Sequence, residues 1–186
     1  MPSVDPLNWL IDRLTTLIRT ATDSLEQSYP DGVDAWQQEI SRELARYHAA
    51  AMLAGAGVDD LSPTMRTQVM RDLTVQLSYL EQFGVVIQDA DQFMPGWQAR
   101  AAMYARSIQV PYWQGVTKLL PLPAMPGESG QCLTNCKCMW DVQELEGDNN
   151  YDCYWLLGAT EEHCQTCNQR AISWAPLRIR DGELQL

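Results

Sequence analysis

The chain is short of basic residues: Lys and Arg total 13 against 24 Asp and Glu, for a net charge of −11. A nucleic-acid binder draws its affinity from phosphate contacts and shows a basic face. The few cations here are scattered, so free DNA is not the expected partner. Histidine is scarcer still, with only His48 and His163. His48 lies in the helical run "ARYHAAAML" with no Cys or His beside it, and it reads as a partly buried helix residue rather than a general base. No apolar run approaches the ~18 residues a membrane span needs. The start "MPSVDPLNWLIDRL" carries Asp5 and Asp12 where a secretory leader needs a basic start and an unbroken apolar stretch. The expectation is a protein made in a reducing cytoplasm. There is no phosphate-cradling loop either: "GAG" at 55–57 lacks the Lys-Ser/Thr that would follow it. Nothing makes a positive case for an enzyme.

What the chain does have is apolar residues at 46%, enough for a sizeable core, and no low-complexity tract. Its aromatics are seven Trp and seven Tyr against two Phe. Rings with a polar tip suit half-buried positions and interfaces. Apolar residues recur at helical spacing through three segments. Leu7, Leu10, Ile11, Leu14, Leu17, Ile18 and Leu25 predict a helix over 7–29, closed by the turn signal "YPDG". Trp36, Ile40, Leu44, Tyr47 and Ala51 predict a second over 33–55. Ser62 as N-cap and Pro63 at the first helical position open a third, which runs to about 83 on Met65, Val69, Leu73, Leu77 and Leu80. Gly84 is expected to permit a sharp exit. A further helix is expected over 89–109, with Trp97, Met103, Tyr104 and Ile108.

The texture changes after Pro111. "PLPAMPGESG", residues 121–130, holds three prolines and two glycines, which suits an extended connector or arm rather than a packed loop. Beyond it, strands are expected over 137–145 and 151–157, joined by the turn "EGDNN". A short helix is expected after Thr160 as N-cap, with Glu161 and Glu162 in its first turn, and "LRIRDGELQL" reads as a terminal strand or arm. The fold class is therefore a mainly α N-terminal helical bundle (1–120), a connector (121–130) and a small α+β, cysteine-rich, zinc-knuckle-like module (131–186).

Five of the six cysteines fall in that module's two clusters: Cys132-x3-Cys136-x-Cys138 and Cys164-x2-Cys167. Metal, disulfides, redox chemistry and catalysis are the four possible uses. A reducing compartment favours metal over disulfides. The thioredoxin-like use of a Cys-x2-Cys pair needs a βαβ context that is missing, and a thiol held by metal is not free to attack. Tetrahedral zinc needs four thiolate or imidazole ligands from two knuckles. Cys164 and Cys167 form one, and two of Cys132, Cys136 and Cys138 form the other. On a regular strand Cys136 and Cys138 would share a face. His163 could substitute as a ligand, but beside Cys164 it reads better as a supporting or surface group. Cys153, in a strand-like run, reads as a buried core thiol. The module has little apolar bulk, so a structural zinc would supply its folding free energy.

The runs "YWQGVTKLLPLPAMPGESGQCLTNCKCMWDV" and "CYWLLGATEEHCQTCNQRAISWAPL" resemble the cysteine-bearing C-terminal part of tailed-phage minor head or head-morphogenesis proteins, with "NCKC" and "HCQTC" matching in type. The resemblance implies a non-catalytic structural or assembly protein of the virion head. Its partners would be capsid or portal proteins and further copies of itself, and its location the virion, after synthesis in the host cytoplasm. The alternative is a zinc-binding adaptor or regulator acting outside the particle.

Overall fold

The computed structural model describes residues 5–128, 131–132, 135–159 and 162–185. Three long helices come first: α1 (Asp5–Ser28), α2 (Val33–Ala56) and α3 (Pro63–Gln88). Their buried stripes follow the apolar spacing closely. Leu7, Leu10, Leu14, Ile18 and Leu25 of α1 face Trp36, Ile40, Leu44 and Ala51 of α2 within one core. Leu17 leaves the expected stripe and is exposed, because it lies off the face that meets α2. Ser62 caps α3, its hydroxyl accepting from Met65 N at 3.3 Å, with Pro63 at the first position as its fixed φ and missing N–H allow.

Two expectations about helix ends are corrected. Gly84 does not end α3, which continues to Gln88. Its missing side chain instead leaves room for the Gln37 amide of α2, which would meet a Cβ at that position. Gln37 donates to Leu80 O at 3.1 Å. The fourth helix is a composite rather than one span over 89–109: α4 (Gly96–Ala102), a 3-10 segment (Met103–Ile108) and α5 (Gln109–Val116). Pro111 lies in the first turn of α5, where a backbone N–H has no helical partner to lose, so the helix passes through it. Gly115 of α5 and Gly55 of α2 allow the two backbones to touch; a Cβ on Gly115 would sit 2.7 Å from Ala56 N. Lys118 and Leu119, both at positive φ, then turn the chain away from the bundle.

The stretch 121–128 has no regular secondary structure, as its prolines require, but it is not a free arm. Ala124 to Gly127 are buried, and Met125 joins the core. Burial of Met125 and a hydrogen bond from Trp140 Nε1 to Ala124 O at 3.0 Å hold it down. Gly130, at its end, lies outside the described residues.

The C-terminal part is an antiparallel sheet of β1 (Met139–Glu144), β2 (Tyr151–Leu156), β3 (Leu177–Arg180) and β4 (Glu183–Gln185), in that order, with α6 (Gln165–Ser173) between β2 and β3. The hairpin of β1 and β2 sets Trp140 opposite Trp155. Trp174 stacks on Trp140 at 5.7 Å and meets Trp155 edge-on at 5.6 Å. With Tyr151, Cys153 and Ile179 these rings give the module the apolar bulk that its length seemed to deny it. Its buried residues are continuous with those of the bundle. No helix among the described residues is long and apolar enough to cross a membrane.

Candidate metal centre

Two local structures present the cysteines. Ahead of β1, Asn135 N donates to Cys132 O at 2.9 Å. Cys136 and Cys138 lie in this approach and not in the strand, which begins at Met139. The expected same-face strand geometry therefore does not apply to them. The second structure is the start of α6. Cys164 is its N-cap, its sulfur accepting from Cys167 N at 3.4 Å. Thr160 and Glu161, expected to open this helix, lie outside the described residues, and Glu162 falls before it.

The fold brings the two clusters together. The sulfurs of Cys132, Cys136 and Cys167 all lie within 4.8 Å of one another. Cys167 is 3.6 Å from Cys132 and 3.8 Å from Cys136. Cys164 lies 2.9 Å from Cys132, and the Cys138 thiol interacts with those of Cys136 and Cys167. All five cysteines assigned to metal thus form one cluster with Cys167 at its hub. Cys153 stands apart, fully buried in β2, where burial pushes its thiol up to about 11. That is a packing position. His163 is half-buried beside the cluster and lines a cleft with Cys132, Cys138 and Cys164.

The donor set fits a thiophilic ion. Zn–S bonds of about 2.3 Å in a tetrahedron place sulfurs about 3.8 Å apart, the spacing found around Cys167. A disulfide needs about 2.0 Å, and the six cysteines are all free thiols. Crowding makes simultaneous ionisation costly. The Cys138 contact and burial push the Cys136 thiol up, and burial raises those of Cys132 and Cys167. At Cys164 burial also pushes up, but hydrogen bonds from Cys132 and the Cys167 backbone N–H outweigh it and bring the thiol down to about 6. A cation would favour the thiolate form of these cysteines and displace their protons. The cluster could hold a metal ion.

Comparison with protein-family models, curated proteins and solved structures finds no match for this chain.

Two features escaped sequence reasoning. One is the N-cap role of Cys164, because cysteine is not among the usual capping residues; the Cys-x2-Cys spacing was its only signal. The other is the aromatic cluster of the module, where Arg170 of α6 lies 4.9 Å from the Trp174 ring and 5.1 Å from that of Trp155. This cation–π contact anchors the helix that carries Cys167.

Proposed function

We propose that the cluster is a structural zinc centre held by Cys132, Cys136, Cys164 and Cys167, and that the chain is a non-catalytic structural or assembly protein of a tailed-phage head. The observation that carries the zinc reading is the convergence of sulfurs from two distant segments on Cys167 at tetrahedral spacing. Four sulfur positions suffice to close a structural site. Cys164, 2.9 Å from Cys132 and paired with Cys167 in the Cys-x2-Cys turn, takes the fourth, and Cys138 lines the same cleft as a fifth thiol. When bound, the ion supplies a cross-link between the entry to β1 and the start of α6. The protein's own residues do the rest: the Trp140, Trp155 and Trp174 rings pack together and Arg170 pins α6 to them.

The assembly role rests on the resemblance of "NCKC" and "HCQTC" to phage head proteins. The outer face of α3 supports it, where Val75, Tyr79 and Val86 are about half exposed at helical spacing. Repeated copies in a ring or shell would cover such a face. Elemental analysis of purified protein should find one zinc per chain; no zinc, with a mass lower by two hydrogens per cysteine pair, would mean disulfides. Native mass measurement with capsid and portal proteins should show association. A discrete monomer that joins neither would overturn the head role and leave the adaptor reading.

A further inference from the structure

A second polar site adjoins the exposed face of α3, sharing Val75 and Tyr79 with it, and does not rest on the metal reading. A cavity of about 560 Å³ opens between α2, α3, the 3-10 segment and the buried stretch 124–128. Its size is that of a small-molecule pocket. Hydrogen-bond acceptors without donors gather around it. His48, fully buried, lines it from α2. Its Nδ1 is 2.8 Å from Leu44 O, which can only accept, so Nδ1 holds the proton and Nε2 presents a lone pair. Ser107 Oγ lies 3.4 Å from Nε2, but its own proton goes to Tyr104 O at 2.7 Å. From α3 comes Asp72. Gln68 donates to its Oδ1 at 3.1 Å and the Gln114 amide also interacts with the carboxylate, yet Oδ2 is buried with no hydrogen-bond partner. Gln114, which pairs with Asp72 but does not itself line the cavity, is almost wholly buried and keeps an unpartnered Oε1. Glu128, exposed and already accepting from Met125 N at 2.7 Å, adds a second carboxylate to the lining.

Buried acceptors without donors are costly, which makes their gathering at one cavity informative. The missing component is a donor, and two carboxylates against the single cation Arg71 call for a positive one. A bare metal ion does not suit. No set of three metal-ligating atoms from His48, Asp72 and Glu128 closes within 4.8 Å, as the cysteines do. An alkylammonium suits better: it carries up to three N–H donors, and its carbon chain can lie on Val75, Val110 and the Tyr79 ring, which complete the lining.

We propose that this cavity binds a small organic ammonium ion, with Asp72 as its main anchor, His48 Nε2 as a neutral acceptor and Glu128 as the second carboxylate. Burial and the Glu128 charge both raise the proton affinity of Asp72, an unfavourable arrangement that a bound cation would reverse.

The test is calorimetric titration of the full chain at neutral pH with n-butylammonium chloride, and with n-butanol as an uncharged probe of equal length. Shifts of the His48 ring resonances localise any binding. Saturable binding of the ammonium that moves the His48 signals, with no saturable binding of the alcohol, is the expected result. Asp72→Asn should weaken it at least tenfold. Glu128→Gln, at an exposed position, should weaken it severalfold and serves in place of Asp72→Asn should that variant lose its fold by circular dichroism. Absence of saturable ammonium binding would overturn the proposal and leave ordered water as the donor. So would equal binding of butanol, or undiminished affinity in a folded variant.

Discussion

At the scale of single residues, the cysteines divide into roles that spacing alone left open. Cys167 touches Cys132 and Cys136 of the other cluster, so Cys167→Ser removes the hub. We expect that variant to purify without zinc and to lose the near-ultraviolet signal of the Trp140, Trp155 and Trp174 cluster. Cys153→Ser and Cys138→Ser should both retain one zinc per chain, since neither is needed to close the site. Loss of zinc from Cys138→Ser with retention in Cys164→Ser would exchange their assignments. His48 makes a different prediction. Burial lowers its pKa from 6.5 to about 4, so the unfolded chain binds a proton over a window in which the folded chain does not. The stability this neutral imidazole protects is complete above pH 6.5 and is lost as pH falls towards 4. The loss amounts to roughly 3 kcal/mol across that window. Urea denaturation at pH 7 and pH 4.5 should show it, and His48→Gln should reduce the difference between those two pH values.

The elements are joined more tightly than their sequences suggest. α2 and α5 meet backbone to backbone at Gly55 and Gly115, where a methyl group has no flexible neighbour to displace. Gly115→Ala should therefore cost about 2 kcal/mol, a melting-point drop of roughly 5 °C in a chain of this size. An unchanged midpoint would show that the helices slide apart freely. The proline-rich stretch behaves as packed structure because Met125 is buried in the core and Ala124 accepts from Trp140. Limited proteolysis of the free protein should leave 124–127 uncut, and Met125→Ala should cost about 2–4 kcal/mol and open the stretch to cleavage. Rapid cutting there in the unaltered chain would restore the free arm that three prolines suggested.

For the whole molecule, the consequence is coupling. Buried residues run without a break from the bundle into the sheet, and Lys118 bonds Glu144 at 3.1 Å across the join. If the cluster holds the proposed ion, its removal should loosen the sheet and α6 first, while the continuous core transmits part of the loss to α5. Under chelation we expect Trp fluorescence to change before helical circular dichroism does, and the global melting temperature to fall. A helical bundle that melts at the same temperature with and without chelator would mean that the two parts are energetically independent. The bundle would then need no help from the module.

By itself the sequence determined what is local. Three apolar stripes, the Ser62–Pro63 start, the "EGDNN" turn and the two cysteine clusters were all legible, because each depends on periodicity or capping within a few turns of chain. What the tertiary structure decided is everything that depends on a partner far along the chain. Gly84 reads as a breaker until Gln37 is seen beside it, and 121–128 reads as an arm until Trp140 reaches Ala124. The module seemed too poor in apolar residues until the sheet stacked three Trp rings that lie far apart in sequence. The polar cavity had no linear signal at all, since His48, Asp72 and Glu128 come from separate segments that only packing unites. Propensity acts over neighbouring residues, whereas burial and charge are set by whatever the fold places opposite, and no local pattern encodes that neighbour.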